Sequence, residues 1–158
     1  MSASLGDMGM YLEAARIPLR LACRTKTGWP MVVSLWYLHR DGLLYCATQR
    51  SARIVAYLRD DARCAFEIAG DQPPYCGVRG QAYASIQESL GAEILKELLV
   101  RYQGGTDNDL ARDLLAKSDK EVAILLEPKR VYTWDYSRRM AGIGDESLGD
   151  KICPEVQT

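Results

Sequence analysis

The sequence predicts a mainly β fold with inserted helices: one domain over residues 1–158, built on an antiparallel barrel or strongly curved sheet of about seven strands. Three observations predict it. Apolar and polar residues alternate in strand-like segments, with Leu19, Leu21 and Cys23 against Arg20 and Arg24, and Cys64, Phe66 and Ile68 against Ala65 and Glu67. A longer segment, Tyr75 to Ile86, has two unlike faces. Tyr75, Arg79, Gln81 and Tyr83 lie on one, while Cys76, Val78, Gly80, Ala82 and Ala84 form a row of small residues on the other, which suits tight curvature. Finally, β-α-β alternation is missing and no G-x-G-x-x-G follows the first strand, which excludes a Rossmann-type sheet.

Residues 1–16 open the chain on a helix, for which Met8, Leu12 and Ala15 supply a short amphipathic stripe. Leu19 to Arg24 is the first strand, Thr27-Gly28 turns, and Pro30 to Leu38 is the second, rich in β-branched and aromatic residues. Asp41-Gly42 marks a hairpin into the third strand, Leu43 to Thr48. Ile54, Val55 and Leu58 then follow helical spacing, before the fourth strand and a break at Gln72-Pro73-Pro74. After the fifth strand, Leu90, Ile94, Leu98 and Tyr102 form an i, i+4 stripe closed by Gly104-Gly105. A second helix carries Leu110, Leu114 and Leu115 behind a cap from Asp107 or Asn108. Val122 to Leu126 is a buried strand, Pro128 interrupts, Val131 to Tyr136 is the last strand, and 140–158 form an irregular tail.

Composition narrows the function classes. Hydrophobic and charged fractions of 47% and 26% are those of an ordinary globular chain. A net charge of −1 gives no general attraction to nucleic acid or an anionic membrane. No apolar run approaches the roughly 20 residues a spanning helix needs, and Met1 to Met10 lack a signal-peptide pattern, so a cytoplasmic location is expected. Cys23, Cys46, Cys64, Cys76 and Cys153 are widely spaced without a C-x-x-C pair, and the first four read as small apolar filler rather than as metal ligands. His39 is the only histidine and has no evident triad partner, so no metal site and no catalytic residue is assigned.

The chemistry concentrates in Thr48-Gln49-Arg50-Ser51-Ala52-Arg53, at a junction of strand, turn and helix. The first turn of a helix has unsatisfied N–H groups and a partial positive charge, so it favours Asp or Glu. Here Arg50 and Arg53 stand at the start, with Asp60 and Asp61 at the far end. An anion would reverse that penalty: free N–H groups, two guanidiniums and the hydroxyls of Thr48 and Ser51 make a phosphate cradle. The alternative is two solvated arginines and an ordinary Ser51 N-cap.

The motifs in order are Gly28-x-Pro30, Gly42-Leu43-Leu44-Tyr45-x-x-Thr48, Ser51-x-Arg53, Asp61-Ala62-Arg63, Gly80-x-Ala82 and a late Pro128…Trp134 strand. Over about residues 10 to 139 this set resembles the pyridoxamine 5'-phosphate oxidase-like, FMN-binding split-barrel family. The resemblance implies a flavin at a homodimer interface, an oxidoreductase activity and a small-molecule substrate. It implies that Thr48, Arg50, Ser51 and Arg53 hold the phosphate. Backbone groups of Val33, Ser34 and Leu35 would meet the ring edge, and Trp134, with Arg138 beyond it, would reach the cofactor from the second subunit. The substrate-binding Arg-x-His element of the oxidases is absent, since no histidine follows His39. A deazaflavin-dependent reductase, or non-catalytic flavin or haem binding, is the alternative on the same fold; nucleic-acid and membrane partners are not expected.

Overall fold

A computed structural model describes residues 5–140; the expected tail beyond Met140 lies outside the described residues. A 3₁₀ turn, Gly6–Met8, leads into helix α1 (Gly9–Ala14), shorter than the helix expected over residues 1–16. Strands β1 (Leu19–Arg24), β2 (Pro30–Leu35), β3 (Leu38–Arg40) and β4 (Leu43–Gln49) follow. Helix α2 (Arg53–Asp60) precedes β5 (Arg63–Ala69) and β6 (Cys76–Gln87). Helices α3 (Gly91–Gln103) and α4 (Asp109–Leu115) lead to β7 (Glu121–Asp135), and a short α5 (Ser137–Met140) ends the described chain.

The seven strands form one antiparallel sheet in the order β2-β1-β5-β6-β7-β4-β3. The number of strands agrees with the sequence, but two boundaries do not. The expected second strand divides at Trp36 and Tyr37, because its first half pairs with β1 and its second with β4, at opposite edges of the sheet. Tyr37 anchors the crossing: its side chain is fully buried and its hydroxyl donates to the Leu12 carbonyl at 2.8 Å. Trp36 stacks on Tyr102 with ring centroids 5.1 Å apart.

Conversely, Pro128 does not end a strand. Strand β7 runs through it on a bulge, with Gln81 opposite Arg130 and Ala82 opposite Pro128, so Lys129 is the extra residue. A bulge is where a strand tolerates the N–H that proline lacks.

The inner sheet face packs the main core. Leu19, Leu21, Phe66, Ile68, Val122, Ile124 and Leu126 meet Ile54, Val55 and Leu58 of α2 and Tyr11 and Leu12 of α1. The small face of β6 is buried as expected, and a Cβ at Gly80 would stand 2.6 Å from the Phe66 ring. Helices α3 and α4 form a second layer, Ile94 and Leu98 of α3 packing on Ala123 of β7, and Leu95 and Leu99 of α3 on Ala111 of α4. Asn108 caps α4 by accepting from the Ala111 N–H at 2.8 Å. Gly104 closes α3 in the left-handed region. Cys23, Cys46 and Cys64 are free and buried, and burial raises each thiol above its ordinary value, Cys64 to about 12. They are neutral filler, and Cys76 is likewise buried.

Candidate functional site

The β4–α2 junction is held open by backbone geometry. Strand β4 pairs with β7 as far as Thr48 opposite Val122 and Gln49 opposite Glu121. The chain then turns: the Arg50 N–H donates to the Lys120 carbonyl at 2.7 Å and the Ala52 N–H to the Gln49 carbonyl at 2.9 Å. The N-cap of α2 is Ala52, in an extended conformation and without a side-chain cap. Ser51 is therefore not the N-cap, and Arg50 stands three residues before the helix rather than in its first turn. Arg53 is the cation at the first position of the uncapped helix.

The two arginines differ in their surroundings. Arg50 donates through Nε to the Glu88 carboxylate at 2.8 Å, and Glu88 also pairs with Arg59 from the last turn of α2. Arg53 is exposed and has no carboxylate partner among the described residues. Thr48 is half-buried, and Ser51 is exposed. The junction thus gathers Thr48, Arg50, Ser51 and Arg53 within six residues, with uncapped N–H groups beside them. At the far end of α2 each acid has a cation. Asp60 pairs with Lys26 at 3.7 Å, while Asp61, the C-cap, accepts from Arg63 at 2.9 and 2.8 Å and lies 3.6 Å from Arg24. The Arg63 fork and backbone N–H hold the Asp61 carboxyl well below the usual range.

Across the opening of the sheet lies β2. Among the described residues it pairs only with β1, so it is an edge strand, and it comes close to β4 on its other side. An edge strand leaves alternate N–H and C=O groups without a ladder partner. Val33 and Leu35, half-buried, stand opposite Leu21 and Leu19; Ser34 is exposed opposite Arg20. Strands β2 and β4, far apart in the pairing order, are thus neighbours across the open side of the sheet.

Trp134 is elsewhere. It lies opposite Gly77 near the end of β7, twelve residues (122 to 134) beyond the partner of Thr48. That is about 40 Å of strand at the usual rise. The ring is half-buried over Gly77, where a Cβ would stand 2.8 Å from its Cζ2, and the Arg79 guanidinium sits 5.4 Å from its centroid. Beside it on the outer sheet face is a groove of about 440 Å³ lined by Arg20, Val32, Glu67, Arg79 and Tyr132. Arg138 follows in α5, exposed.

His39 lies in β3, next to the Asp41-Gly42 turn; its Nε2 is buried without a partner among the described residues, and burial lowers its pKa. Tyr102 is occupied in packing, its hydroxyl donating to the Ile17 carbonyl at 3.2 Å. Glu88 and Arg59 were missed by sequence reasoning. Glu88 is 38 residues from Arg50, and no local pattern joins them. No helix among the described residues is long and apolar enough to cross a membrane.

No family model and no curated protein matches the chain. Solved structures do. The conserved hypothetical protein Rv2991 from Mycobacterium tuberculosis is similar at a TM-score of 0.71 and 24% identity, over 93% of this chain and 92% of that one. An F420 reductase is similar at 0.66 and 16%, over 77% and 93%. A candidate pyridoxamine 5'-phosphate oxidase from Listeria innocua is similar at 0.62 and 17%, over 82% and 97%. The seven-stranded open sheet is therefore the split-barrel fold that the pyridoxamine 5'-phosphate oxidase-like proteins share, as the motifs indicated.

Proposed function

We propose that this protein is an FMN-binding oxidoreductase acting on a small molecule, with the cofactor at the boundary between two copies of the chain. The observation that carries the proposal is the β4–α2 junction: an uncapped helix start bearing Arg53, flanked by Arg50 and two hydroxyls, at the end of a strand that comes close to the edge strand β2. The junction suits a phosphate, and the unpaired backbone groups of β2 suit the polar edge of a planar ring.

Thr48, Arg50, Ser51 and Arg53 would hold the phosphate, and Val33, Ser34 and Leu35 would orient the ring. Bound flavin would supply the hydride or electron chemistry. In this reading Trp134 would come from a second copy, since within one chain it stands twelve residues (122 to 134) along β7 from the partner of Thr48. The groove beside Trp134, with Arg20 and Arg79 near Glu67, offers a face of mixed charge for that copy.

The test is the visible spectrum of the purified protein, repeated for Arg50→Ala and Arg53→Ala. Each loss should weaken FMN retention by about 1.5–3 kcal/mol, as for a charge-assisted hydrogen bond. Undiminished retention in both variants would remove the assignment. The similarity to an F420 reductase favours one second reading, a deazaflavin coenzyme at the same junction, and the spectra of the two cofactors distinguish them. Bound flavin that no nicotinamide donor reduces would indicate storage instead of catalysis.

A further inference from the structure

Glu88 lies just beyond β6, on the turn into α3, and its carboxylate joins Arg50 on one oxygen to Arg59 on the other. All three side chains are about half exposed, so nothing in the core requires this bridge. Yet Arg50 is one of the two guanidiniums at the phosphate cradle, and its Nε–H is the donor that Glu88 takes. A carboxylate on a guanidinium makes the same kind of contact as a phosphate oxygen.

We infer that Glu88 is a built-in competitor for the cradle, an internal anion that an incoming phosphate must displace, and that Arg59 is the berth to which it withdraws. This inference rests on the flavin reading above and adds a residue that sets how tightly the phosphate is held. Displacement has a modest cost because exposed ion pairs are weak, and Arg59 keeps hold of Glu88 when Arg50 lets go. The arrangement makes the cofactor exchangeable. It also separates phosphate-bearing from phosphate-free ligands, since riboflavin has no reason to disturb the bridge.

The experiment is a titration of FMN and riboflavin, followed by flavin fluorescence, on the full chain and on Glu88→Gln, Arg59→Ala and the double variant, with circular dichroism checking the fold. Glu88→Gln should tighten FMN by about three- to tenfold, the range for relieving one or two exposed ion pairs, and leave riboflavin unchanged. Arg59→Ala should weaken FMN about twofold in the parent and have no effect beside Glu88→Gln, because its influence passes through Glu88. If Glu88→Gln weakens FMN or leaves it unaltered, Glu88 orients Arg50 or merely decorates the surface, and the inference is overturned while the cradle stands. If the parent binds FMN no better than riboflavin, the cradle fails and the inference falls with it.

Discussion

Arg53 was the most legible residue in the chain and Arg50 only half so. Both stand out because cations at a helix start oppose the backbone dipole. The turn geometry that puts Ala52 at the N-cap and Arg50 outside the helix depends on the Lys120 carbonyl, which no local reading supplies. The same holds at the other end of α2. Asp60 and Asp61 look misplaced in sequence, but Arg24 of β1, Lys26 of the turn after it and Arg63 of β5 neutralise them. Asp61 yields a pH prediction. Its folded pKa lies below the ordinary 3.8, so its pairing with Arg63 stabilises the fold above that value and fades as pH falls toward the folded one. Asp61→Asn should thus be less stable than the parent near neutrality, with the difference narrowing as pH falls below the ordinary value. Urea unfolding followed from pH 6 to 2.5 checks this, and a gap that stays constant across that range would contradict it.

The elements were legible where periodicity is unambiguous and misread where the chain changes partners. Strand β6 was read with its two faces correct, because small residues every second position have little other use at a curved sheet. The run from Pro30 to Leu38 looks like one strand because nothing local announces that Tyr37 is swallowed by the core while the chain crosses between sheet edges. Pro128 looks like a terminator because its cost is visible in sequence and the bulge that absorbs it is not. The junction of β6 with β7 also carries a prediction. Gly77 leaves no room above it: a Cβ would meet Ala69 Cβ at 2.6 Å and Trp134 Cζ2 at 2.8 Å. Gly77→Ala should cost about 1–3 kcal/mol by overpacking and shift the indole. Chemical denaturation followed by tryptophan fluorescence reads both, and an unaltered midpoint and spectrum would show the packing to be slack.

At the scale of the whole molecule, the sheet stays open between its edge strands β2 and β3, and β2 comes close to β4. The architecture was legible from strand spacing and the absence of a Rossmann pattern. The approach of β2 to β4 was not, because the two stand at the first and sixth places of the sheet order and no local pattern joins them. Thr48 pairs at Val122 of β7 and Trp134 lies twelve residues (122 to 134) further along that strand, so in the proposed site the indole would come from a second copy related by symmetry. The measurement that tests this most directly is subunit complementation. Arg53→Ala and Trp134→Ala are purified separately, shown by FMN titration to bind weakly, then mixed, dissociated and reassociated. Composite sites predict that the mixture regains tight FMN sites that neither variant has alone, since each mixed dimer pairs one intact cradle with one intact indole. A mixture that binds as the average of its two components would contradict the account.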